Sequence, residues 1–411
     1  MKAQERKLRI LIINTLIEGT STAKIATGLY KKLKERGYDC LVLYGVGDES
    51  NNNDFVKIAT NFDIRLGWIH NQMTGVHGAL APFPLKRVKR ILDEFRPDIV
   101  QLFNLHHYYM DIYGLFDLLK KNNIPTVYSM LDEYPYLGYC CYAFECLQFK
   151  TGCQKCNYKR FRNEYPRNLF VNGVKKTIKL KEKAYENFPD LVFTGPKWVL
   201  ERAKSSYLLK TKKMVEVDEF IDTEHVFVPK RTHVLKEELG LQEKIIILNV
   251  APSRDIRKGV KYYIELAKRV HQREYVFLHI GYQGDTDDLP NNFIPISYIK
   301  DQSLLAQYYA MADLFVCTSL ADTMPNTCLD ALACGTPVLG FNITGVPYVA
   351  EKPFGRYVEP GNVDALEKEI LKTKSKDEKT INGCRNYALG RYSPDIFCDK
   401  LEQIYNQLLG E

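Results

Sequence analysis

The chain is predicted to be an α/β protein of two doubly wound parallel-sheet domains, and three features of its 411 residues predict this. Short apolar runs alternate with stretches of helical spacing almost throughout, as strand–helix–strand units require when helices cover both faces of a parallel sheet. The alternation comes in two series, each opening on an apolar run, at 8–13 and at 244–250. Between the series, residues 220–243 are charged, contain Pro229 and lack a strong period, so the linker is placed there.

In the first series, 8–13 is a strand, broken by the run from Glu18 through Thr22. Ile25, Leu29 and Leu33 share a helical face over 23–36, Gly37 ends that helix, and 40–44 is the second strand. Residues 85–95 and 99–103 repeat the unit, as do 112–121 and 126–128, and a further helix leads to a strand at 191–193. In the second series, strand 244–250 is followed by helix 260–270, strand 276–280, helix 303–311, strand 314–317, helix 326–333 and strand 338–341. Residues 394–409 form a last helix with no strand after it. The expected domains are 1–212, 213–393 and a terminal helix, 394–411. Two such domains facing one another place their strand C-termini on a shared cleft, where doubly wound folds bind ligands.

Composition sets the outer limits. The length suffices for two hydrophobic cores. Residues 1–7 are charged, the apolar run behind them is too short for a signal-peptide core, and no run approaches membrane-spanning length. The expectation is a cytoplasmic protein whose eleven cysteines are reduced. A net charge of +7 is modest for this length and does not indicate nucleic acid. The excess is local: residues 150–183 carry eleven Lys or Arg against Glu164 and Glu182. That stretch mixes aromatics and cations and reads most plainly as a solvated helix face. Peripheral attachment to an anionic membrane is the second reading. Nucleic acid is not expected as a partner, because no recognised binding module accompanies the segment.

The most informative stretch runs from Asp322 to Asp330, with seven residues between them, among them Thr323, Met324, Pro325, Asn326 and Thr327. A helix starting near Asn326 carries Asp330 on its first turns and leaves Asp322 on the preceding loop. Free amides at the helix N-terminus suit a phosphate, and carboxylates accept hydrogen bonds from vicinal hydroxyls. The site reads as anion plus polyol, and a sugar nucleotide is both. Upstream, Arg257, Lys258 and Gly259 lie between a strand and a helix. There a lysine reaches a diphosphate as a mobile point charge and an arginine as a fork, at roughly 1.5–3 kcal/mol per charge-assisted bond. Gly19 permits close backbone approach between the first strand and helix, and Ser21 or Thr22 caps that helix.

A separate cluster lies at 140–156. Cys153 and Cys156 form a C-x-x-C pair, and Cys140 and Cys146 complete four thiolates for a tetrahedral structural zinc. Four thiolates leave no open position, so a catalytic zinc is not expected there. Cys141 is the odd one out and is expected to point away. Buried free thiols, or disulfides in an oxidising compartment, are the alternative readings. The other six cysteines read as small core residues.

In order and spacing these residues resemble a GT-B glycosyltransferase of family 4, a group of retaining enzymes that use nucleotide sugars. The likeness leans to the branch working on bacterial exopolysaccharides such as colanic acid. It covers nearly the whole chain: the Gly19–Thr22 loop, the run from Pro97 to Asn104 with His106, Asp132 and the cysteine segment, the Arg257 turn, the Asp322–Asp330 motif, and Arg391 through Asp395. The resemblance implies two Rossmann-like domains facing across a cleft, with the last helix crossing back onto the first. It implies transfer of a hexose-type sugar from a nucleoside-diphosphate sugar, UDP or GDP foremost. The acceptor would be a glycan or a polyprenyl-diphosphate-linked chain in cell-surface polysaccharide biosynthesis. The protein would then be cytoplasmic or peripheral on the inner face of the cytoplasmic membrane.

By the same resemblance, donor binding falls to Gly19, Thr20, Arg254, Arg257, Lys258, Thr323, Met324, Pro325, Asn326, Thr327 and Asp330. Arg254 takes the place of a family arginine usually found where this chain has Pro252 or Ser253. Asp322 would lie beside the transferred sugar, and His106 and Asp132 would complete the catalytic set, with a structural role as the other reading of His106. His107, its neighbour on a strand, would face away. No catalytic metal is expected. Two departures stand out. Asp322 and Asp330 replace glutamates, each shorter by about 1.5 Å of reach. Leu131 replaces a histidine. They motivate the alternative of a non-catalytic sugar-nucleotide-binding or scaffold protein of the same fold.

Overall fold

The computed structural model describes residues 7–157, 159 and 165–410. It divides into two compact units: the described residues up to Val217 together with those from Phe397 on, and Asp218–Ile396.

Unit 1 runs β1 (Arg9–Asn14), α1 (Ser21–Glu35), β2 (Asp39–Tyr44), β3 (Phe55–Lys57), α2 (Asn61–Thr74), α3 (Pro82–Phe95), β4 (Ile99–Leu102), α4 (Ile112–Lys121), β5 (Thr126–Ser129), α5 (Val174–Tyr185), β6 (Leu191–Gly195), α6 (Lys197–Lys204) and β7 (Lys213–Glu216). Its seven strands are parallel, in the order β3-β2-β1-β4-β5-β6-β7. Helices cover both faces of the central strand, so Ile10, Leu11, Ile12 and Ile13 can all be apolar and all buried. The chain order reverses between β1 and β4, and the residues following these two strands meet at that point. Thr15 Oγ1 donates to the carbonyls of Asn104 and His106, and the Asn104 amide donates to Asn14 Oδ1.

Unit 2 runs α7 (His233–Glu238), β8 (Ile245–Val250), α8 (Val260–Arg269), β9 (Tyr275–Ile280), β10 (Phe293–Ile296), α9 (Gln302–Met311), β11 (Leu314–Cys317), α10 (Asn326–Ala333), β12 (Val338–Phe341), β13 (Gly355–Val358), α11 (Val363–Ile370) and α12 (Glu378–Tyr392). Its six parallel strands lie in the order β10-β9-β8-β11-β12-β13, and here the reversal falls between β8 and β11. The last helix, α13 (Pro394–Leu409), is shared between the units by sequence, and from Phe397 on it belongs to unit 1. There Leu401, Ile404 and Tyr405 are buried, Tyr405 OH donates to Gln101, and Arg36 pairs with Asp399 and Glu402.

The strongly periodic elements fall within three residues of their predicted places, α3 starting three residues early, and 112–121, 314–317, 326–333 and 338–341 match to the residue. The sequence reading left β3, β7, β10, β13, α2, α6, α7, α11 and α12 unassigned, although Val363, Leu366 and Ile370 share one buried face of α11. Three expectations need correction. The stretch read as a linker contains α7 and supplies Ile221, Phe227, Leu235 and Leu241 to the core of unit 2. The cap of α1 is Thr20, which accepts from the Ala23 amide at 3.2 Å, rather than Ser21 or Thr22. β4 ends at Leu102, so strand alternation does not govern His107; it sits at φ 106° in a turn. Of the basic segment, Tyr158 and residues 160–164 lie outside the described residues.

Candidate functional site

In unit 2 the site is assembled at the β8/β11 reversal. Asp255 caps a short 3-10 turn, Ile256–Lys258, by accepting from the Arg257 amide at 3.0 Å. Gly259 leaves that turn at φ +60°, and a Cβ there would fall 2.1 Å from the Thr318 carbonyl. Only glycine permits this close approach. The turn is also fastened to the loop after β11: Thr318 Oγ1 donates to the Lys258 carbonyl at 3.0 Å, and the Leu320 amide to the Arg257 carbonyl at 2.6 Å. On its far side the loop is held by Thr344 and Gly345, which bond the Asp322 amide and carbonyl.

This stitching brings Lys258 Nζ to 2.5 Å from Asp322 Oδ2. Burial works against the ammonium, but the Asp322 carboxylate outweighs it and holds the Lys258 pKa above its usual value. Arg257 directs its fork onto Asp255, with Nη2–Oδ2 at 2.6 Å and Nε–Oδ1 at 3.2 Å. Arg254 is exposed and lines an open groove of about 760 Å³ with Ser253, Lys261, Tyr282 and Gln283.

α10 begins at Asn326 behind Pro325, which supplies no side-chain cap. Its leading amides therefore lack the partner that a Ser, Thr or Asp cap would give. Asn326 Oδ1 is buried and has no hydrogen-bond partner. Asn326 and Thr327 are half-buried, while Thr323, Pro325 and Asp330 are buried. Met324 packs in the core of unit 2, so its side chain serves the scaffold.

In unit 1, Gly19 (φ +79°) and Thr20 lie exposed ahead of α1. His106 Nε2 lies 2.7 Å from Asp132 Oδ2, and its Nδ1 lies 3.0 Å from the Tyr165 hydroxyl. Tyr165 reaches His77 Nε2 at 3.4 Å, and His77 Nδ1 meets Tyr134 OH at 2.9 Å. The Tyr134 amide returns to Asp132 Oδ1 at 2.9 Å and closes a ring of polar contacts. Burial holds the His77 pKa well below normal, so its imidazole is neutral. His77, Tyr134 and Tyr165 were missed in the sequence, since they lie in loops and helix-flanking stretches with no motif around them.

Cys140, Cys146, Cys153 and Cys156 line one cavity of about 150 Å³, with Phe149 and Val174. Cys140 and Cys153 are buried, and Cys146 and Cys156 half-buried. Among the described residues no disulfide joins any cysteine. Cys141 lies outside that lining. Its Sγ lies instead with a His106 ring nitrogen and an Asp132 oxygen, the three within 4.8 Å of one another. Leu131 is buried beside Asp132.

Two Rossmann-like parallel sheets, each with its polar residues gathered at the reversal of strand order, define the GT-B fold. Residues 244–375, most of unit 2, match the family described as Glycosyl transferases group 1. Fold and domain together support a GT4-type glycosyltransferase. Among curated proteins, the chain is 20% identical to alpha-monoglucosyldiacylglycerol synthase of Acholeplasma laidlawii, over 96% of this chain and 94% of that one. It is 23% identical to alpha-galactosylglucosyldiacylglycerol synthase of Streptococcus pneumoniae, over 54% of this chain and 62% of the relative. Among solved structures, sucrose-phosphate synthase of Thermosynechococcus elongatus aligns with a TM-score of 0.70 at 14% identity, over 98% of this chain and 100% of that one. The Anabaena protein HepE in complex with UDP-glucose aligns with a TM-score of 0.63 at 12% identity, over 98% and 100%. At these identities the structural likeness is one of fold.

Proposed function

We propose that the chain is a retaining glycosyltransferase moving a hexose-type sugar from a nucleoside-diphosphate sugar to a glycan or lipid-linked acceptor in cell-surface polysaccharide biosynthesis. The observation that carries the reading is the Lys258–Asp322 pair beside the uncapped start of α10. Lys258, the start of α10 and Asp330 all lie within the stretch matched by the group 1 domain, and a sugar nucleotide offers a partner to each. UDP is the first donor to test, since HepE holds UDP-glucose on a similar fold. The two relatives described above are named for diacylglycerol glycolipids, which supports a lipid-linked acceptor and a working place at a membrane surface. No helix among the described residues is long and apolar enough to cross a membrane.

In this reading, Lys258 and the α10 amides hold the diphosphate, Asp330 accepts from the ribose hydroxyls, and Asp322 stabilises positive charge developing at the anomeric carbon. His106, oriented by Asp132, contacts the acceptor side. The four cysteines around one cavity fit a structural zinc by donor type and number, and such an ion would brace the 140–156 loop. Donor hydrolysis and transfer by the purified protein test the reading. Leu131 and the mutual neutralisation of Lys258 and Asp322 favour the second reading, a non-catalytic binder of the same donor. Donor binding without hydrolysis or transfer across a panel of acceptors would select it.

A further inference from the structure

Cys141 is the one cysteine of the 140–156 segment that does not line the zinc cavity. Adjacent residues here face different ways: Cys140 faces that cavity, and Cys141 faces His106 and Asp132. Its Sγ, an Asp132 oxygen and a His106 ring nitrogen lie within 4.8 Å of one another. Nitrogen, oxygen and sulfur donors therefore converge from three separate loops. Asp132 and Cys141 are buried, and the His106 side chain is 15% exposed, which leaves one way in from solvent.

The backbone holds these loops together. Thr15 Oγ1 donates to the His106 carbonyl at 3.0 Å. The Glu133 amide donates to the Cys141 carbonyl at 3.0 Å, and Glu133 Oε2 accepts from the Ala143 amide at 2.8 Å, so the cysteine loop is tied to the residue after Asp132. The side chains are fixed from behind as well. The Tyr165 hydroxyl meets His106 Nδ1 at 3.0 Å, and the Tyr134 amide donates to Asp132 Oδ1 at 2.9 Å. Each group is pinned by one atom and turns the other, Nε2 or Oδ2, toward its neighbour at 2.7 Å. Histidines that ligate metals are held in this way, by a partner on the nitrogen that does not bind.

The donor set selects the ion. Hard cations such as magnesium and calcium take oxygen ligands, whereas imidazole with thiolate suits zinc. Tetrahedral zinc bonds of about 2.0–2.3 Å set nitrogen and oxygen about 3.3 Å apart and sulfur about 3.6 Å from either. The His106–Asp132 contact would open by about 0.6 Å and the sulfur would close in by about 1 Å, which are side-chain movements. On binding, the thiol gives up its proton to solvent. The imidazole keeps its own, carried on Nδ1, where the Tyr165 oxygen accepts it.

We propose that His106, Asp132 and Cys141 form a binding site for zinc, separate from the four-cysteine cavity and with its fourth position open. Zinc there slows transfer by taking His106 and Asp132 from the acceptor. That effect rests on the acceptor-side reading of His106 above, whereas metal binding is measured without donor or acceptor, so either can fail alone. With three protein ligands against four, the site fills from added zinc.

The full chain and Cys141→Ser are dialysed against rising zinc, and bound metal is measured by elemental analysis. The parent is expected to take up one equivalent more than the variant. Tyr165→Phe removes the partner of Nδ1 but no ligand, and should weaken that extra equivalent on the order of ten-fold. Equal melting temperatures without added zinc show that both variants are folded. The difference between parent and Cys141→Ser should persist in a Cys153→Ser background. Its disappearance there would make Cys141 a ligand of the cysteine cavity and overturn the proposal, as would equal uptake by parent and variant. In a transfer assay the parent and Cys141→Ser should run alike without zinc, and added zinc should slow the parent alone. Equal slowing of both would overturn the proposal too.

Discussion

Lys258 and Asp322 hold each other: the ammonium and the carboxylate are 2.5 Å apart, both partly shielded from solvent. The sequence pattern assigns one to a diphosphate and the other to the neighbourhood of a sugar. Their contact links the two roles. Without donor, each is the counter-ion of the other. A diphosphate drawing on Lys258 would loosen its hold on Asp322 and leave that carboxylate more strongly negative where positive charge develops during transfer. Donor binding and transition-state stabilisation are then coupled through one ion pair.

Lys258→Ala is expected to weaken nucleoside-diphosphate binding by about 1.5–3 kcal/mol in calorimetry with UDP or GDP. It also leaves Asp322 without its counter-ion, so the melting temperature of the donor-free protein should fall. Removing both side chains should cost less than the two single changes added together, with a coupling of about 1 kcal/mol or more. Unchanged affinity would take Lys258 out of the site.

Asp322→Asn should lower kcat much more than donor affinity, because the carboxylate acts on charge that exists only in the transition state. Asp330→Ala should do the reverse, raising the donor Kd with a smaller effect on kcat. Steady-state kinetics beside direct binding separates the two. Parallel losses in both parameters for both variants would refute this division of roles.

The legibility of this chain followed burial. Elements buried on both faces, such as β1 and β11, or amphipathic, such as α4 and α8, announce themselves by apolar period, and their places were readable almost to the residue. α2 was not, because its apolar residues are spread around the helix, Ile64 and Trp68 across from Phe62, Leu66, Ile69 and Met73, so no single stripe stands out. The edge strands β7 and β13 are only half-buried and short. In the site, Lys258 on one strand–turn–helix stretch, and Asp322 with Asp330 on another, were each legible as candidates from local spacing. Their bond to each other was not, since 64 residues separate Lys258 from Asp322 and the approach depends on Gly259 against Thr318. The ring from His106 through Tyr165 and His77 to Tyr134 spans four separate segments, and no local pattern could announce it.

Purified protein is expected to carry about one zinc per chain, measured by elemental analysis, held by Cys140, Cys146, Cys153 and Cys156. Cys153→Ser should lower that content and speed proteolysis around the 140–156 loop while leaving UDP binding in unit 2 intact. A metal-free protein with four reactive thiols in this loop would show free cysteines instead.

His279, on β9, is buried with neither ring nitrogen bonded, and burial pushes its pKa down to about 4. The unfolded chain titrates this group near its ordinary value of about 6.5. Between these values the unfolded state binds more protons than the native one, so stability rises with pH across the window and is lost on acidification. The full effect of this one group is about 3 kcal/mol. His279→Phe, which keeps a ring against Phe293, should flatten the urea-derived stability between pH 6.5 and about 4 relative to the parent. An unchanged slope would show that His279 protonates freely in the folded state.

The stereochemical outcome is the sharpest test of the proposed activity. Leu131 stands where the resemblance expects an imidazole, and both ring nitrogens of His106 are occupied by Asp132 and Tyr165. In the proposed reading the acceptor hydroxyl is not activated by a protein base. The groups gathered in unit 2 are of another kind: the Lys258 ammonium and the uncapped amides of α10 suit the charge of a departing diphosphate. That phosphate, leaving on the face the acceptor enters, can itself take the hydroxyl proton, and transfer on one face keeps the anomeric configuration. The product should show the donor's anomeric configuration in the proton NMR coupling of its anomeric signal. Because lysine and amides already meet the leaving charge, the rate should survive a chelator that strips magnesium and manganese. An inverted product, or strict dependence on either ion, would break the retaining assignment.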